Sequence, residues 1–140
     1  MSLSALVYKN RSLTEGELAL IGSVDTDTGQ PMLREGDTLY EQFAAKEIFI
    51  GNLFGVAWLR RELELNAPSM SECIREVVLP NGTLSGVAIG EPHISRIASE
   101  CAALLIDGRV KLHEGVRRVL ADLGDLAKIA LYENNPIVLM

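Results

Sequence analysis

Chemistry needs polar groups of suitable type at suitable spacing, and they are densest in V-D-T-D-T-G-Q-P-M-L-R-E-G-D, Val24 to Asp37. Fourteen residues there hold four carboxylates, two glycines and a proline. A calcium loop of the EF-hand type needs oxygen ligands at its first, third and fifth positions, glycine at the sixth and glutamate at the twelfth. Counted from Asp25, the fifth residue is Gly29, the sixth Gln30 and the twelfth Gly36. The pattern fails at all three. A turn needs fewer assumptions: Asp and Thr bond their own backbone, Gly takes a positive φ and Pro31 opens the next strand. The stretch is read as a turn, without a metal.

The two histidines and two cysteines are spaced too widely for a zinc site. His93 and His113 are 20 residues apart, and His93 and Cys101 are 8 apart. Structural zinc sites draw their ligands from close-spaced pairs. A cysteine nucleophile needs a partly exposed thiol beside a base. Cys101 falls on an apolar helical stripe and Cys73 beside Ile74, so both are read as buried free thiols. Glu91-Pro92-His93 and Ser95-Arg96 mark a helix start, where backbone N–H groups can receive an anion. The preceding G-V-A-I-G is no phosphate-cradling fingerprint, and Arg60-Arg61 and Arg117-Arg118 read as solvated helix faces. No nucleotide loop, nucleophile elbow or zinc-protease motif occurs. No catalytic residue and no cofactor is assigned.

These residues are carried by a chain of 140 residues, the length of one domain, here 1–140. Apolar residues make up 48% but aromatics only 5%, so the core is aliphatic. Strand candidates are Ala5 to Tyr8, Leu18 to Val24 and Pro31 to Arg34, with a short helix over Ser12 to Leu20 as the rival reading of the second. Thr38-x-x-Glu41 has capping-box spacing, and no proline interrupts from Asp37 to Asn66, which predicts one long central helix. Its middle, Ile48 to Leu59, is apolar on every side except at Asn52, as in a helix buried all round. Within it Gly51 and Gly55 form a GxxxG, which lets another helix approach closely. The apolar run of 12 residues is too short for a bilayer core, which takes about 20.

Residues 70–79 read either as a helix opened by Ser69-x-x-Glu72 or as one arm of a hairpin with Thr83 to Gly86. Thr83 to Ile89 otherwise reads as a strand. Ile94, Ile97, Ala98, Cys101, Leu104 and Leu105 make one helical stripe, and Val116 to Leu131 make another. The last four residues, Ile137 to Met140, are too apolar to dangle and are expected to add a strand. The fold class is α+β, with a small sheet from the N-terminal strands packed on several helices.

With 13 basic and 19 acidic residues the net charge is −6, which disfavours nucleic acid. An acidic surface steers basic partners instead. The leading expectation is a non-catalytic protein that binds a basic protein through Asp25, Asp27, Glu35 and Asp37. Small inhibitor or immunity-type proteins are an analogy of class only. A different possibility is a small-molecule or enzymatic pocket beside the 37–66 helix, using Asn52, Trp58, His93 and His113. A third is a homodimer or larger oligomer of structural role built on Gly51 and Gly55. No membrane association is expected. The N-terminus lacks the basic start, apolar run and cleavage site of a signal peptide, so the expected compartment is the cytoplasm.

Overall fold

The computed structural model describes residues 2–35, 43–80 and 87–140. Its centre is a four-stranded antiparallel sheet in the order β4-β1-β6-β5, formed by Ala44–Asn52 (β4), Ser2–Tyr8 (β1), Ile137–Leu139 (β6) and Val87–Ile89 (β5). Successive strand side chains point to opposite faces. From β1, Leu3, Ala5 and Val7 therefore enter the main core, and Leu6 and Tyr8 enter a second cluster on the other face. Ile137 and Leu139 of β6 join the first set and Val138 the second. The apolar last residues thus add a strand, as expected, and the sheet order places it between β1 and β5.

The main core lies between the sheet and the helices Leu53–Asn66 (α2), His93–Ile106 (α3) and Glu114–Glu133 (α4). The α3 stripe buries Ile94, Ile97, Cys101 and Leu104, and Gly124 of α4 admits the Cys101 side chain. A Cβ at Gly124 would lie 3.1 Å from that of Cys101, so the two helices pack closely there. On the other face, a ribbon of Ile21–Val24 (β2) and Pro31–Leu33 (β3) sits over Leu6, Tyr8, Phe43 and Val138. The architecture is α+β.

The continuous 37–66 helix is corrected. Its middle is split into strand β4 and helix α2, which meet at Asn52. Ile48 and Ile50 face the core while Glu47 and Phe49 face away, so the period there is two. Gly51 is buried in the strand and Gly55 lies in the first turn of α2; a Cβ on Gly51 would meet Val56 N at 3.3 Å. The two glycines close a strand-to-helix corner and do not share a helical face. Residues Asp37, Thr38 and Glu41, which suggested the helix start, lie outside the described residues. The helix α2 is also not buried all round: Val56, Leu59 and Leu63 face inward, and Phe54, Trp58 and Leu65 face out.

Two segments compatible with either helix or strand adopt helical turns. A short helix Glu15–Leu20 (α1) precedes β2, and its capping box is Thr14 with Glu17. Residues 74–78 form a π-helical turn, which removes the hairpin with Thr83 to Gly86, residues outside those described. The first N–H groups of that segment are received by a distant carboxylate. Glu100 of α3 accepts from Cys73 N and Ile74 N, both at 2.9 Å.

Candidate functional site

The Asp25 to Gln30 stretch is a self-bonded turn. Asp25 Oδ1 accepts from Asp27 N at 2.8 Å and Thr28 N at 3.2 Å, and Thr28 Oγ1 accepts from Gln30 N at 3.2 Å. Gly29 has φ +76°, and a Cβ there would fall 2.4 Å from Asn135 Oδ1. The turn is therefore seated on the connection between α4 and β6, which Asn134 caps in the left-handed conformation. Asn135 itself donates to Tyr8 O at 2.9 Å, tying that connection to β1.

This seating has a measurable consequence. Gly29→Ala should cost about 2–3 kcal/mol, from a left-handed residue with a side chain and a displaced Asn135 hydrogen bond. Urea denaturation checks it; a midpoint equal to wild type would mean the turn is not held against Asn135.

Where the turn meets the end of α4 and the start of α3 there is a cleft of about 370 Å³. Its apolar floor comes from Ala88, Ile94, Ala130, Leu131 and Pro136. The charged residues lining it are Asp27 and Glu91, both carboxylates. Asp25 stands exposed on the same turn. Glu91 Oε1 accepts from Ser95 N at 2.7 Å and Oε2 from Ser95 Oγ at 2.5 Å. One of the helix-start N–H groups, that of Ser95, is thus already bound by Glu91. A cation with an apolar stem suits such a surface: the stem lies on the floor and the charge reaches the rim.

Of the four acidic residues expected to act together, the three described ones do not gather. The register Val24↔Pro31 and Ile21↔Leu33 puts Asp25 and Asp27 at one end of the ribbon and Glu35 beyond the other. Asp37 lies outside the described residues. Glu91 takes the place that Glu35 was expected to fill; reading it from sequence would have required knowing that the turn reaches α3.

Of the four pocket residues expected beside the helix, only Trp58 and His113 are brought together. Asn52 is exposed and caps α2, its Oδ1 accepting from Gly55 N at 2.8 Å. Trp58 and His113 meet edge to face, with centroids 5.2 Å apart and planes at 83°. His113 Nδ1 also accepts from Gly115 N at 2.9 Å and caps α4. His93 is elsewhere, its Nδ1 4.0 Å from Cys73 Sγ. A groove of about 410 Å³ does run beside α2, but Val56, Ala57, Arg60, Arg61, Glu64, Leu65 and Leu79 line it. None of the four candidates is among them.

Cys73 and His93 come nearest to a nucleophile and base. Burial, then the charge of Glu100, raises the Cys73 pKa, and burial pushes Cys101 up to about 12. Both are free, buried and protonated at neutral pH. A thiolate, the attacking species, is disfavoured at each. Among the described residues, no three His, Cys, Asp or Glu are grouped to hold a metal ion, and no helix is long and apolar enough to cross a membrane.

Comparison of the chain with protein-family models, with curated proteins and with solved structures finds no match.

Proposed function

We propose that the protein is a non-catalytic recognition module that receives a basic segment of a partner protein in the cleft between the Asp25–Gln30 turn and the start of α3. The observation that carries this reading is the cleft's composition: its charged lining residues are both carboxylates, over an apolar floor. A lysine or arginine would lay its methylenes on Leu131 and Pro136 and bring its charge to Asp27 and Glu91. Exposed pairs of this kind contribute only about 0.2–1 kcal/mol each. Their main effect is therefore on association rate and partner choice, reinforced by a net charge of −6. A small acidic inhibitor that covers a basic enzyme would work in this way, which remains an analogy of class. Two free thiols accord with a reducing compartment, and a cytoplasmic location belongs to the same proposal.

Charge can be removed here without removing the turn. Asparagine at position 25 keeps the Oδ1 acceptor that holds Asp27 N and Thr28 N, so D25N/D27N should retain the fold. In an NMR titration with a short Lys/Arg-rich peptide, wild type should shift the amides of Thr26, Gly90, Leu131 and Asn134. The double variant should bind several-fold more weakly, with a shallower salt dependence. Shifts scattered over the whole surface, or equal binding by the variant, would reject the cleft.

A further inference from the structure

Granting the cleft as the recognition site proposed above, we infer that the partner's basic segment binds there as an added β-strand. Its backbone bonds to the outer edge of β5. Ser4 and Met140 exchange both main-chain bonds, Ser4 N to Met140 O at 3.0 Å and Met140 N to Ser4 O at 2.9 Å. Antiparallel partners alternate between bonded and non-bonded pairs, so Val138, two residues back, also turns its N–H and C=O toward β1. Leu139 and Ile137 turn theirs toward β5, where they meet Val87 and Ile89. Ala88, opposite Val138, is left with its N–H and C=O pointing away from the sheet.

Nothing in the sheet uses those two groups. β5 is an edge strand, and among the described residues no strand pairs with its outer side. Ala88 and Gly90 are exposed and both line the cleft, and no atom lies within 4 Å of a Cβ built on Gly90. Among the described residues lining the cleft, none comes from β4, the opposite edge. An open donor and acceptor on one edge residue match the backbone of an extended chain, which supplies one of each.

The charges match the same chain. Ala88 shares a sheet face with Val138, the face beneath the β2–β3 ribbon that carries the Asp25–Gln30 turn. A residue entering opposite Ala88 projects its side chain onto that face. A lysine or arginine there is directed toward Asp27, and its two neighbours point to the side of α3, where Ile94 lines the cleft. The segment that fits is therefore extended, with a basic residue between apolar ones. β5 is three residues long, so the backbone adds a single pair of bonds to what the side chains contribute.

Two properties of Ala88 test this. In the free protein its amide should exchange with solvent faster than those of Val87 and Ile89, and it should slow when peptide is added. Proline is tolerated in an edge strand where the N–H faces solvent. A88P should thus keep a melting temperature close to wild type yet bind several-fold more weakly. The peptide is a short one, blocked at both ends, with a single arginine between valines, and its binding is followed by NMR at the cleft amides. Whichever way the chain runs, only one of its N–H groups meets Ala88 O. N-methylation walked along the peptide should therefore weaken binding about three- to tenfold at one position. That scan is made on wild type and stands whether or not A88P folds. Protection of the Ala88 amide in the free protein would overturn the inference, because the edge would already be occupied. Shifts given only by the Lys/Arg-rich peptide, or cleft binding indifferent to every methyl group, would overturn it and leave the cleft reading standing. Absence of cleft shifts with either peptide would remove both.

Discussion

Deletion of Pro136 to Met140 is expected to abolish the native fold. The segment supplies β6, which pairs with β1 on one side and β5 on the other. Ile137, Val138 and Leu139 are all buried, two in the main core and one in the cluster beneath the β2–β3 ribbon. Burial of each contributes about 1.5–3 kcal/mol, so roughly 6 kcal/mol is lost before the ladder bonds are counted. A domain of this size has about 5–15 kcal/mol in total. Near-UV circular dichroism and a thermal scan should show no cooperative transition, or one far below that of wild type. A melting temperature within a few degrees of wild type would show that β6 is not an inner strand.

Replacing Glu133 by alanine is expected to destabilise the fold strongly. This carboxylate is 2% exposed near the end of α4, where a lone charge would be expensive. It is stabilised there by the loop after β1: Asn10 N donates to Oε1 at 2.8 Å, Ser12 N to Oε1 at 3.0 Å and Ser12 Oγ to Oε2 at 2.6 Å. Asn10 Nδ2 adds a bond to the Glu133 carbonyl at 2.9 Å. Alanine leaves the donors to the carboxylate without their acceptor, at a cost of about 3 kcal/mol and a fall in melting temperature of roughly 10 °C.

The same group gives an acid dependence of definite sign. Burial alone would raise the Glu133 pKa, but bonds from Ser12 Oγ and the N–H groups of Asn10, Ser12 and Arg11 outweigh it and hold it below its ordinary value of 4.5. A depressed folded pKa means that the charged form stabilises the fold above the unfolded value and that this contribution is lost as pH falls through the folded value. The advantage of wild type over E133Q should therefore be full above about pH 5 and should shrink in acid. A difference that stays constant from pH 7 to pH 3 would contradict this account of the carboxylate.

These two sites show what could be read from the chain and what could not. That residues 137–140 add a strand was legible because all four are apolar, though its inner place in the sheet was not, and α3 and α4 were legible because their stripes repeat at helical spacing. The turn at Asp25 was legible because its bonds are local. Glu133 was not, since its partners lie more than 120 residues away and nothing in Y-E-N-N-P distinguishes a buried carboxylate from a solvated one. The β4–α2 corner was missed because A-K-E-I-F-I-G-N-L-F is apolar at both helical and strand periods, and only Gly51-Asn52 marks the reversal. The cleft shares that difficulty: Asp27 was singled out, but Glu91 and the floor reach it only through the tertiary seating of Gly29 on Asn135.

The central claim, recognition of a basic partner through the cleft, is tested most directly by affinity capture from the native host. Wild type and D25N/D27N would be immobilised in parallel at low and moderate salt, and the retained proteins identified by mass spectrometry. The account expects one basic protein held in stoichiometric amount by wild type at low salt, released as salt rises and depleted on the double variant. Equal retention by the variant, or no basic protein on wild type at either salt, would contradict it.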